Sequence, residues 1–140
     1  MLKIYLFNSE NIRFFIQKSV LILSYEFFRI FKTKVKRPIK WVVGVDEVAA
    51  IISYVSTVLK NSYSVSLSSH PFYKFRYDFQ ENTRSLLKGP MLLGRLLNQA
   101  DGFFYIWSTG FLISHIDNRE FEFNFIKKKN KKIVCFFVGS

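Results

Sequence analysis

Four positions of this 140-residue chain combine a suitable residue type with a place where ligand chemistry is normally found. Gly44 and Asp46 lie in "WVVGVDEVAA", where an apolar run meets a helical pattern. At such a junction the backbone N–H groups of the turn and the following helix face the cleft of an α/β protein. His70 lies in "SLSSHPF", after a second run, and an imidazole there is within the repertoire of general bases for a sugar hydroxyl. Ser108 lies in "YIWSTGF", after a third run, and offers a hydroxyl beside backbone groups. The paired carboxylates Asp46 and Glu47 select sugar hydroxyls over phosphate. Each position also has a plainer role: Gly44 for tight packing, Asp46 as a helix cap, His70 and Ser108 as turn residues.

The chemistry stops short of a catalytic set. A full G-x-G-x-x-G is absent, and no serine stands on a nucleophile elbow, so no catalytic residue is assigned. His70, His115 and the single Cys135 are not at metal-ligand spacing from one another, and no metal site is read. One cysteine forms no disulfide within the chain; in "KKIVCFFVGS" it reads as a core thiol of a reducing compartment. "FYKFRYDF" interleaves aromatics with Lys74, Arg76 and Asp78, which on a strand would give one aromatic and one mostly polar face. Such a surface suits sugar rings and bases, or simply half-buries a strand.

Composition narrows the class. Apolar residues make up 49% of the chain and there are 17 Phe, which calls for a packed core and excludes a disordered tail. A formal net charge of +11 points to anionic partners, and it is concentrated in "KTKVKRPIK" and "KKKNKK". No signal peptide is read, and the uncharged stretch "SVLILSY" falls far short of the roughly 20 residues that span a bilayer.

The elements follow from periodicity. Asn8 to about Phe31 reads as a helix with apolar residues around most of its circumference, requiring burial on several sides or a membrane interface. Pro38 closes a basic linker, so residues 1–40 form an amphipathic helix plus linker and residues 41–140 a second unit. Strands are expected at Trp41–Val45, Tyr63–Ser69, Gly102–Ser108 and Ile133–Val138. Asp46 is expected to cap a helix carrying Val48, Ile51, Ile52, Val55 and Leu59 on one face. A further helix should have Pro90 in its first turn, while "NREFEFNFIKKKN" fits helix and strand alike. The rhythm is that of an α/β, Rossmann-like, mainly parallel sheet with crossover helices, preceded by an N-terminal helix. Its end at "VGS", on the carboxyl end of a strand, reads as an incomplete domain.

The stretches "WVVGVDEVA", "SYSVSLSSHPFY", "GPMLLGRLLNQADGFFYIWSTGFL" and "KKIVCFFVGS" together resemble the amino-terminal domain of GT-B glycosyltransferases. They are similar in particular to bacterial surface-polysaccharide (capsule) transferase-like proteins. The likeness runs over about Lys40 to Ser140. It implies a truncated acceptor-side domain of polysaccharide biosynthesis, with Gly44, Asp46, His70 and Ser108 lining the substrate cleft. It also implies a saccharide or lipid-linked saccharide acceptor and a separate C-terminal domain holding the nucleotide-sugar donor. No cofactor is expected in this chain, which taken alone should be inactive. The expected location is the cytoplasm, peripheral on the inner membrane face, where an anionic membrane surface would be a partner. Two rivals are a basic nucleic-acid binder, for which no recognised motif is present, and a membrane-surface module.

Overall fold

The computed structural model describes residues 9–32, 34, 36–68, 75–81, 84–106, 109–113 and 119–137. Helix α1 (Ser9–Ile30) leads through the basic linker into β1 (Trp41–Val45). Then follow α2 (Ile51–Val58), β2 (Ser62–Ser66), the short β3 (Phe79–Gln80) and α3 (Lys88–Leu97). The described chain closes with β4 (Gly102–Ile106), α4 (Glu120–Lys128) and β5 (Lys132–Phe136).

All strand pairs are parallel, and the five strands lie in the order β3-β2-β1-β4-β5. The chain thus lays β2 and β3 on one side of β1, then crosses back to add β4 and β5 on the other. That reversal makes β1/β4 the topological switch point of a Rossmann-like α/β fold. β1 is central, which explains its unbroken "WVVGV": both of its faces are covered.

On one face α2 buries Ile52 against Val43 and Ile106. On the other, α1, α3 and α4 enclose the larger core around Leu21, Leu93, Phe103, Tyr105 and Ile126. Helix α1 packs along α3, and Gly94 permits the approach: a Cβ there would lie 2.7 Å from both Ser24 Cβ and Tyr25 N. Buried Gln17 ties α1 to two loops, accepting from Ile113 N–H (2.8 Å) and donating to the Leu86 carbonyl (3.1 Å). The opposite face of α1 is open, with Phe15 at 66% and Leu23 at 69% exposure. Burial on several sides is therefore not what the broad apolar helix achieves; it is buried along one face. No helix among the described residues is long and apolar enough to cross a membrane.

Several boundaries differ from those expected. The helix after β1 starts at Ile51, with Ala49 and Ala50 in the left-handed region (φ 50 and 63) ahead of it. Asp46 is consequently too far away to cap it. Its apolar face nonetheless gathers Ile51, Ile52 and Val55, and Val48 ahead of the helix and Leu59 at its C-cap join the same cluster. β2 ends at Ser66 because Leu67 and Ser68 bend away, Ser66 Oγ donating to the Ser68 carbonyl (2.8 Å). The third and fourth expected strands are found at Gly102–Ile106 and Lys132–Phe136. "FYKFRYDF" contributes only its last residue to a strand, while Phe72 to Lys74 lie outside the described residues.

The segment that fits two periods is helix α4. There Glu122 and Ile126, four apart, are buried together, and Glu120 with Lys127 and Lys128 complements the dipole at its two ends. Cys135 is half-buried on β5, packed against the core, and is a free thiol.

Candidate functional site

In an open parallel sheet the strand ends at the switch point form the natural cleft, and here they are unusually rich in carboxylates. Gly44 is inside β1; a Cβ on it would lie 3.1 Å from the Val65 carbonyl oxygen, so its service is close packing of β1 on β2. Asp46 follows the last residue of β1, and its Oδ1 accepts from Ser68 Oγ at 2.9 Å. The structure thus joins Asp46 to the end of β2. His70 and Ser108 lie outside the described residues.

Glu47, expected only as the second carboxylate of the turn, organises this end. Its Oε1 accepts from Ile52 N–H (2.9 Å), and its Oε2 from Ser53 N–H (3.3 Å), Ser53 Oγ (3.3 Å) and Tyr77 OH (2.8 Å). The N-terminus of α2 therefore carries an anion of its own chain, buried, at the place where a bound phosphate would otherwise stand. Burial, reinforced by the Glu47 carboxylate, pushes the Tyr77 phenol up, so it remains a donor.

Past β4, Glu122 plays the same part for a loop. Both its oxygens are engaged, Oε1 by Leu112 N–H (2.8 Å), Oε2 by Phe111 N–H (3.1 Å) and by Tyr105 OH (2.5 Å). Gly110 lies directly against it: a Cβ there would come within 2.5 Å of Glu122 Oε2 and would have to displace the carboxylate. Arg84 donates to the carbonyls of Gly110 and Leu112, closing the loop from outside. Burial raises the Glu122 carboxyl above its ordinary value, opposed by the hydrogen bonds from Tyr105, Leu112 and Phe111 and by Arg84. The Tyr105 phenol is likewise raised, first by burial and then by Glu122.

No family model, curated protein or solved structure matches the chain.

The arrangement has clear chemical consequences. The N-terminus of α2 is satisfied internally, so a phosphate arriving there would meet the fixed Glu47 carboxylate instead of open N–H groups. A hydroxylated ligand, by contrast, could use an acceptor: among the described residues Asp46 shows a hydrogen bond to Oδ1 alone, from Ser68, and is half-buried. Among the described residues no cluster of His, Cys, Asp and Glu could hold a metal ion.

The roles of Glu47, Tyr77, Tyr105 and Glu122 escape a reading of the sequence alone. Glu122 has one visible signal, an acidic residue four places before an apolar one on the buried stripe of a helix. Glu47 has none, because a carboxylate after a strand looks the same whether it faces the cleft or folds back.

Proposed function

We propose that this chain is the acceptor-side, amino-terminal domain of a GT-B-type glycosyltransferase of bacterial polysaccharide (capsule) assembly. In this reading a saccharide or lipid-linked saccharide binds over the carboxyl ends of β1 and β2, with Asp46 accepting from its hydroxyls. Gly44 sets the spacing of those two strands, and the resemblance would add His70 and Ser108, which lie outside the described residues, to the ligand contacts. The observation that carries the reading is the Glu47 carboxylate seated on the N-terminus of α2. It leaves the carboxyl end of β1, in a Rossmann-order sheet, suited to an uncharged polyol and unsuited to a diphosphate. Transfer from a nucleotide sugar is then the work of the full-length family, with the donor held by the C-terminal domain of the resemblance.

Amide chemical-shift mapping tests this. A neutral oligosaccharide is expected to shift Val45–Glu47 and Ser66–Ser68, and Asp46→Asn to weaken the effect, while a nucleotide sugar leaves these amides in place. Nucleotide-sugar binding at Glu47–Ser53, or turnover of a nucleotide sugar by the purified chain, would overturn it.

A second reading, peripheral attachment to an anionic membrane surface, is favoured by the exposed stripe of α1. Phe15, Leu23 and Phe27 stand on the face of the helix away from its packed side, followed in sequence by the cations of the linker. On this reading the protein works in the cytoplasm against the inner membrane face.

A further inference from the structure

The opposite, amino-terminal edge of the sheet has a cavity that the saccharide reading does not use. It has a volume of about 570 Å³, and among the described residues it is lined by the cations Lys34, Lys36, Arg37 and Arg95 and by one carboxylate, Asp78. Phe28, Ile39 and Tyr63 supply apolar and aromatic wall.

We propose that this cavity is a binding site for a phosphate-bearing ligand, with Arg37 and Arg95 as the two guanidinium contacts. Both are already held in place. Arg95 Nη2 donates to Tyr63 OH (3.0 Å), and its Nε is buried with no hydrogen-bond partner among the described residues. Arg37 Nη2 stands 2.8 Å from Asp78 Oδ1, and the other oxygen of Asp78 accepts from Ser64 N–H (2.8 Å) and Ser64 Oγ (3.2 Å).

Asp78 is thereby anchored to β2 and offsets one of the four cations, which leaves a net positive cavity. Guanidinium groups fixed by side-chain partners lose less freedom on meeting a phosphate than mobile lysines do. A second cleft of about 410 Å³ shares Arg37 and Asp78 and adds Arg76, Ser62 and Ser64. The ion pair therefore stands between two basic chambers. The volume of the first is that of a small-molecule site, larger than an inorganic phosphate needs. The ligand is then a phosphate or pyrophosphate group carried on a body that meets Phe28 and Tyr63.

Helix C-termini also collect cations by their dipoles. Arg37 and Arg95, however, are bonded to side chains, Asp78 and Tyr63. Dipole compensation alone would not require that.

The test titrates the full chain with pyrophosphate by calorimetry and amide shifts, beside Arg37→Gln, Arg95→Gln and, as control, Lys131→Gln at the same edge outside this cavity. Arg37 is exposed, so its replacement keeps the fold if that of Arg95 does not. Expected are shifts at Tyr63, Asp78 and Arg95, and affinity about tenfold weaker in each arginine variant, the loss of one charge-assisted hydrogen bond. Lys131→Gln should bind as wild type. Sedimentation with phosphatidylglycerol vesicles separates the sources. Vesicle binding that needs both arginines in the absence of pyrophosphate binding assigns the phosphate to a lipid headgroup; pyrophosphate binding assigns it to a soluble ligand. Equal loss in all three variants, or binding of neither probe, overturns the proposal.

Discussion

At the carboxyl end of the sheet α2 and α4 begin, and the buried carboxylates of Glu47 and Glu122 gather hydrogen bonds from N–H groups of their own chain. At the amino end α1 and α3 finish, and Lys34, Lys36, Arg37 and Arg95 surround a cavity with one carboxylate among the described residues. Crossover connections oblige every helix between parallel strands to start at one end and stop at the other, so dipoles favour opposite charges at the two ends. The difference is in how the charge is used. Anions at the carboxyl end are consumed in holding turns together, whereas the cations at the amino end outnumber their internal partners.

The sharpest way to break the carboxyl end is Glu122→Ala, which strands the N–H groups of Phe111 and Leu112 and the Tyr105 hydroxyl. A loss of about 4 kcal/mol is expected in urea denaturation, from several buried donors left unpaired. The same residue gives a pH signature. Its carboxyl is raised above 4.5 by burial, so the stability it contributes is complete below 4.5 and is lost as pH rises through the raised folded value. Thermal melts should show that falling component, and Glu122→Gln, which does not titrate, should remove it.

A smaller effect sharpens the contrast between the ends. Glu47→Ala opens the N–H groups of Ile52 and Ser53 at a cost of about 1 kcal/mol, the usual worth of a helix cap. It should also create what the carboxyl end lacks, phosphate-induced amide shifts at Ile52 and Ser53. If stability falls and no such shifts appear, the internal carboxylate is not what keeps phosphate away.

The smallest effect on stability is expected at the face of α1 that touches neither end. Phe15→Ser with Leu23→Ser should change stability by less than about 0.5 kcal/mol, because both side chains are already in water. Binding to anionic vesicles should nevertheless be lost. Equal sedimentation of variant and wild type would remove the membrane reading and leave the basic edge to act alone.

Much of the fold is legible without coordinates. "WVVGV" is apolar at every position because a central parallel strand is covered twice, and Val48, Ile51, Ile52, Val55 and Leu59 recur at helical spacing because one face is buried. Local chemistry specifies such patterns, since period and burial are set by near neighbours. The candidate site is less legible. Asp46 does reach the end of β2, but capping passes to Glu47, because Ala49 and Ala50 delay the helix and let the longer side chain fold back.

What the sequence by itself determined is the alternation of strands and helices, the burial of Trp41–Val45 on both faces, the positive charge and the apolar breadth of α1. Only the tertiary structure decided the strand order, the face on which α1 packs, the pairing of Tyr105 with Glu122, and the meeting of Arg37, Asp78, Tyr63 and Arg95. Those four residues come from the linker, the approach to β3, strand β2 and helix α3. No local periodicity connects them. Their juxtaposition follows from how parallel strands are ordered across a sheet, and that order is chosen by the packing of the whole chain.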